Sequence, residues 1–242
     1  MNIISPNFID YDLNFQDKSF LIINDCPRRE GGVFFVKKYF DNINWIKPSD
    51  LDNGNNYLNK DNVSAFFINL GDGAKRTAIN YKKFEIDIDL NFSHLMYGDY
   101  FNLANCAPNS VLSVDFAGLA ERFDVAKILN TKNVRIVFCS DHDKWADDPY
   151  LKKNSLERLI IWHSPDLIKV FHDEKVIKIN NPHFVLTNRV LVGAGDIFAI
   201  HLLKSFFSKE IIKFNDKISY DEFIIKEAII KASRFVKEIF FA

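Results

Sequence analysis

Cysteine is scarce in this chain: Cys26, Cys106 and Cys139 make an odd count with no CxxC pair. A fully paired disulfide frame is excluded, and reduced thiols in a cytoplasmic protein are expected. An excess of one charge is missing too. The 31 basic and 32 acidic side chains leave a net charge of −1, which gives no support for a nucleic-acid surface or a polybasic membrane patch. No apolar run approaches the length of a membrane-spanning helix. The first residues, Met1 to Pro6, lack the basic region and apolar stretch of a signal peptide. No GxGxxG follows the first predicted strand, so a dinucleotide-binding oxidoreductase finds no support. Internal repeats and low-complexity linkers are absent. The softest segment, Lys47 to Asn62, is rich in Asn, Asp, Lys and Gly and reads as a loop.

What is present is an ordinary globular composition, 48% hydrophobic and 26% charged over 242 residues, ample for one sizeable core. Short apolar strands alternate with helices. Strands are expected at Ile3-Ile4, Phe20 to Ile23, Ser64 to Ile68, His94 to Tyr97, Val111 to Val114, Arg135 to Cys139 and Leu159 to Trp162. A strand pair, Ile168 to Phe171 and Val176 to Ile179, follows. Helices are expected at Val33 to Phe40, Leu119 to Leu129 and about Gly195 to Ser208, with a last one opened by the capping-box pattern Ser219-Tyr220-Asp221-Glu222. The pattern predicts an α/β fold, a three-layer α/β/α arrangement around one mainly parallel sheet. Ligands in such folds lie at the carboxyl ends of the strands, where Gly98, Asp115 and Ser140 fall. The whole chain, 1–242, reads as one domain, with a small β lid or edge element near 64–80.

Glycine is also scarce, 9 residues in all, and two of them stand in Gly193-Ala194-Gly195-Asp196, directly before the apolar helical run from Ile197 to Leu203. Glycine lets a backbone take positive φ and approach a ligand closely. The first turn of a helix offers unpaired amides and a favourable dipole for an anion. An Asp there can serve as a general base beside that anion, or simply as a first-turn dipole partner. His201, Lys204, Ser205 and Ser208 share a helical spacing and predict one narrow wet stripe on an otherwise buried helix.

GAGD-x-F resembles the anion-hole signature of the ribokinase-like (PfkB) sugar kinases, and other features resemble that family in the same chain order. The resemblance implies ATP-dependent phosphorylation of a primary hydroxyl on a sugar, sugar derivative or nucleoside. Asp196 would be the base, and the Gly193, Ala194 and Gly195 amides the anion hole. It implies substrate contacts from Asp10, which ends Asn7-Phe8-Ile9-Asp10, and from the pair Gly31-Gly32 that opens a helix. Val36 stands where the family often has Asn, so a less polar acceptor pocket is expected. Asp72 to Thr77 resembles the family's strand–turn–strand centre and offers Arg76 to an anionic substrate or to solvent.

Ser140-Asp141-His142-Asp143 resembles the family's Asn-x-x-Glu. Ser140 would then bind nucleotide and Asp143 would help to hold Mg2+; the same residues also suit a helix N-cap and first turn. Two places depart from the family pattern. Trp162-His163-Ser164-Pro165-Asp166 replaces a glycine-containing nucleotide turn, so Trp162, His163 and Ser164 become the nucleotide candidates, with Trp162 either stacked on a base or ending its strand in the core. Val190-Leu191-Val192 replaces Asp-Thr-Thr, so no potassium site is expected. The lost glycines leave open a sugar- or nucleotide-binding pseudokinase on the same fold. Small molecules are the expected partners, and a homodimer stays open.

Overall fold

The computed structural model describes residues 1–5, 8–13, 28–30, 36–46, 65–70, 75–79, 84–88, 90–98, 101–116, 122–185, 193–208 and 221–241. In chain order the first strands are β1 (Asn2–Ile4), β2 (Phe8–Leu13), β3 (Arg28–Glu30), β4 (Asn44–Ile46), β5 (Ala65–Leu70), β6 (Lys75–Ile79), β7 (Phe84–Ile88), β8 (Phe92–Met96), β9 (Phe101–Cys106) and β10 (Val111–Asp115). Then come helix α1 (Arg122–Leu129), β11 (Val134–Ser140), α2 (Asp148–Asn154), β12 (Leu159–His163), β13 (Leu167–His172), β14 (Lys175–Asn180), α3 (Ala194–Ser208) and α4 (Glu222–Phe241).

The main sheet has eight strands in the order β14-β13-β12-β11-β10-β8-β1-β4. It is parallel from β12 to β4 and ends in the antiparallel pair β13–β14. Every residue of β8 and of β10 is buried, as expected of central parallel strands covered on both faces, and the buried set includes the polar Ser93, His94, Ser113 and Asp115. Asp173 and Glu174, with φ of 46° and 62°, form the left-handed two-residue turn that joins β13 to β14 with the correct twist.

Alternation along the strands assigns the two faces. Phe92 and His163 point to the face covered by α3, where Phe92 meets Phe207 edge-on at 4.4 Å and His163 meets Phe198 at 5.4 Å. Lys169 points to the other face and reaches Asp148 at the start of α2, 2.8 Å away. The architecture is therefore the expected three-layer α/β/α arrangement with a mostly parallel central sheet. Among the described residues, no helix is long and apolar enough to cross a membrane.

The expected strands do not all join that sheet. Both sides of β1 are occupied, by β4 and β8. The 64–80 element instead forms the antiparallel pair β5–β6 within a separate four-stranded sheet, β3-β2-β5-β6. A short parallel pair, β7–β9, was not anticipated. The expected strand at Phe20 to Ile23 lies outside the described residues. Of the helix expected from Val33, the described part is one turn in which the Phe40 amide donates to the Val36 carbonyl at 3.2 Å.

Two N-terminal caps differ from the reading of the sequence. Asp221 caps α4, its Oδ1 accepting the amides of Phe223 and Ile224 at 2.9 and 3.1 Å; Ser219 lies outside the described residues. Ser140 does not begin a helix. The next helix, α2, is capped by Asp147, which accepts the Tyr150 amide at 2.8 Å.

Candidate functional site

Parallel pairing brings the carboxyl ends of four strands to one edge. Met96 lies beside Asp115, Asp115 beside Phe138, and Ser140 beside His163. The N-terminus of α3 arrives at the same edge. Gly193 has φ of 87° and its carbonyl accepts the Ile197 amide at 3.0 Å, so it caps the helix in a conformation that favours glycine. The amides of Gly193, Ala194 and Gly195 consequently have no acceptor one turn back within the helix, which is the arrangement an anion requires.

Gly195 marks a close contact rather than a conformational need. A Cβ there would lie 3.3 Å from His163 Cε1, so the strand end and the helix start are packed directly on one another. Part of His163 reaches solvent, yet burial of its ring lowers the imidazole pKa from about 6.5 to about 4; Asp141 opposes the shift and His142 adds to it. At neutral pH His163 is an uncharged group beside the helix terminus, able to donate one hydrogen bond.

Asp196 stands in the first turn of α3. First-turn side chains lean back toward the helix start, which here is the edge of the sheet. Its Oδ2 accepts a hydrogen bond of 3.2 Å from the Tyr97 hydroxyl. Tyr97 directly follows β8, and the reading of the sequence treated it only as the end of a strand. The one signal available there was the neighbouring Gly98. A Cβ at Gly98 would lie 2.3 Å from Val114 Cγ1, so the chain turns hard against β10 at that point.

The remaining candidates fall into three groups. Asp10 lies within β2, opposite Arg29 and Phe67, rather than in a turn. Arg76 lies within β6 opposite Asn69, again in a strand and not in a turn. Gly31 and Gly32 lie outside the described residues.

Ser140 and Asp143 are brought together, but with each other. Asp143 Oδ2 accepts the Ser140 amide at 2.7 Å and the Ser140 hydroxyl at 3.1 Å, while its Oδ1 accepts Trp145 Nε1 at 3.1 Å. Asp143 is buried and holds the loop after β11 closed. A carboxylate so engaged does not fit a direct magnesium ligand. Among the described residues, no group of three or more His, Cys, Asp or Glu is placed to hold a metal ion.

The nucleotide candidates are divided by strand alternation. His163 faces α3, and Trp162 faces the opposite layer. There the Lys169 ammonium lies 4.6 Å from the Trp162 ring centre and is tied to Asp148 at 2.8 Å. Ser164 is consumed by its own turn. Its hydroxyl donates to Asp166 Oδ1 at 2.7 Å and accepts the Leu167 amide at 3.1 Å, and its amide donates to the Leu167 carbonyl at 2.8 Å.

The stripe expected on α3 is only partly wet. His201 is half-buried, its ring 4.6 Å from that of Phe235 in α4 and 6.3 Å from that of Phe40. Beneath the edge, His94 is fully buried, with Nδ1 3.1 Å from Ser113 Oγ and Nε2 lacking a partner among the described residues. Burial pulls its pKa down to about 3.

An eight-stranded, mostly parallel sheet in three layers, with a glycine-capped helix start at its carboxyl edge, is the ribokinase-like fold. The solved structures it resembles include adenosine kinase from Schistosoma mansoni in complex with 2-fluoroadenosine, at a TM-score of 0.58 and 9% identity over 97% of this chain and 94% of that one. A pyrophosphate-dependent kinase in the ribokinase family, complexed with a pyrophosphate analog and myo-inositol, matches at a TM-score of 0.57 and 12% identity over 98% and 93%. An uncharacterized sugar kinase from Pyrococcus horikoshii matches at 0.53 and 13% over 96% and 91%. No protein-family model matches the chain, and no curated protein does either.

Proposed function

We propose that this protein transfers a phosphoryl group to a primary hydroxyl of a sugar, sugar derivative or nucleoside. The observation that carries the reading is the start of α3, where a left-handed Gly193, the Ala194 and Gly195 amides and the Asp196 carboxylate meet the carboxyl edge of the parallel sheet. Phosphoryl transfer to a hydroxyl demands little covalent chemistry from the protein. It needs the groups held in line, charge stabilised on the transferred phosphoryl, and a proton taken from the acceptor. The helix-start amides supply the second requirement. Loss of one such preorganised donor typically costs on the order of 10²–10³ in rate. Asp196 supplies the third. Binding alone has no need of a base, which favours an enzyme over a binding protein on the same fold.

ATP accompanied by magnesium is the donor that the resemblance implies, and the cation would arrive with the donor's phosphates. A second reading has a smaller phosphate donor such as pyrophosphate. It is favoured by the self-bonded turn at Ser164 and by the Lys169 cover on Trp162, which occupy the groups a nucleoside would use. The structural neighbours include a pyrophosphate-dependent kinase, so pyrophosphate belongs in the test beside ATP.

The test is a thermal-shift screen of sugars, polyols, nucleosides, ATP and pyrophosphate, each with and without magnesium. A transfer assay on the hits follows. A ligand at about 100 times its dissociation constant adds about 2.7 kcal/mol of stability. Transfer from ATP or from pyrophosphate identifies the donor. Acceptor binding without transfer from either would replace the kinase with the pseudokinase.

A further inference from the structure

Building on the reading of Asp196 as the base, we propose that Tyr97 is its positioning residue, the phenol holding the Asp196 carboxylate ionised and in one orientation. The first observation is the 3.2 Å hydrogen bond from the Tyr97 hydroxyl to Asp196 Oδ2, which joins residues 99 apart in sequence. The second is independent of it. Tyr97 has φ of 65°, in the left-handed region. Among the described residues the other non-glycine residues with positive φ are Asn42, Glu157, Asp173 and Glu174, all polar, of the kind that turns and bends accommodate. A bulky aromatic side chain in this conformation is strained, and such strain persists where the surroundings over-determine it, commonly at functional sites.

The surroundings do over-determine it. Immediately after Tyr97 the chain is pressed onto β10, so that a Cβ on Gly98 would lie 2.3 Å from Val114 Cγ1. Tyr97 itself is only 8% exposed. The corner turns the phenol away from the strand direction and onto the first turn of α3.

A hydroxyl that donates to a carboxylate favours its charged form and fixes which oxygen lone pairs remain for the acceptor. A base pays for this with some proton affinity and gains a fixed geometry, which suits a step in which a misplacement of about 1 Å costs roughly 10²-fold. Of the other groups packed at this helix start, His163 comes from β12 against Gly195. It is neutral above about pH 4, so it brings no compensating charge.

The experiment follows the Asp196 carboxyl carbon by NMR in protein labelled with 13C-aspartate, the signal being assigned by its loss in Asp196→Asn. In Tyr97→Phe the carboxyl pKa is expected to rise by about one unit, a tenfold change in proton affinity, as loss of a hydrogen bond to a charged group implies. The acid limb of kcat should move with it, kcat should fall about tenfold, and KM should stay near wild type. Should Tyr97→Phe fold poorly, 3-fluorotyrosine at position 97 keeps the ring and strengthens the donor, and the carboxyl pKa should move the opposite way. An unmoved carboxyl titration overturns the proposal, as does a moved titration with unchanged kcat. If the wild type transfers from no donor at all, the titration decides alone. A rise then upholds the hold of Tyr97 on Asp196 while the kinase reading fails.

Discussion

Two regions at the same edge of the sheet treat their polar groups in opposite ways. At the start of α3 the groups come from far apart in the chain. Tyr97 reaches Asp196 across 99 residues, and His163 packs on Gly195. Around the ends of β11 and β12 the groups satisfy one another at short range. Ser140 bonds to Asp143 three residues on, Trp145 to Asp143 two residues back, and Ser164 to Asp166 and Leu167 two and three residues on. A polar group closed by its immediate neighbours shapes a turn and has little left for a ligand. Groups assembled from distant parts of the chain, with strained backbone holding them, are the arrangement on which the proposed chemistry rests.

The largest expected effect sharpens that contrast. Asp196→Asn keeps shape and hydrogen-bonding reach but removes the carboxylate proposed as the base. Turnover should drop by roughly 10²–10⁴-fold, with ligand binding and melting temperature little changed. Were Asp196 only a dipole partner, the variant would stay active and lose about 0.3–1 kcal/mol of stability. Phosphoryl transfer and melting measured on the same preparation separate the two, and an active Asp196→Asn enzyme breaks the mechanism.

Acid should act on the buried imidazoles at and beneath this edge. His163 and His94 have folded pKa values of about 4 and about 3, below the ordinary value near 6.5. The unfolded chain therefore binds protons that the folded chain refuses. Stability is full above about pH 6.5 and falls as pH drops toward 4 for His163 and 3 for His94. At pH 5 each group should have removed on the order of 2 kcal/mol. Denaturant unfolding between pH 8 and pH 5 measures this, and a flat profile would show that the edge is open to water.

Asp143→Ala tests the other region. It removes the acceptor of three hydrogen bonds and should cost at least about 1.5–3 kcal/mol, the range for one hydrogen bond to a charged group. For a chain of this size that lowers the melting temperature by roughly 3–12 °C. If Asp143 only staples its loop, the stabilisation that magnesium and donor confer on the remaining folded protein should be unchanged. Its loss would turn the staple into a ligand site.

The smallest effect distinguishes the two glycines. Gly193→Ala forces a side chain into φ of 87° and should cost about 1–2 kcal/mol. Gly195→Ala meets only the edge of the His163 ring at 3.3 Å, which a shift of a few tenths of an ångström relieves. It should melt near wild type. A shift in the His163 titration, followed by proton NMR, would mark the contact.

Much of this edge was legible in the sequence. Short apolar runs ending in Asp115 and Ser140, and Gly-Ala-Gly-Asp ahead of an apolar helix, announce buried parallel strands and a helix start, because local periodicity and glycine chemistry act over a few residues. The same reading put Arg76 at the centre of a strand–turn–strand where the structure has a strand, and grouped Trp162 with His163. Propensity does not reveal which of three sheets a strand will join. Strand alternation separates neighbours that are adjacent in sequence.

By itself, then, the chain determined its layers, the carboxyl edge and the glycine-capped helix with Asp196 in its first turn. These follow from hydrophobic period and backbone conformation, both local properties. Only the tertiary structure decided that Tyr97 donates to Asp196, that His163 packs on Gly195, and that Asp143 is taken up by Ser140 and Trp145. Each of these depends on side-chain contacts that packing creates, and two of the three join strands to a helix far along the chain, beyond the reach of any pattern of spacing.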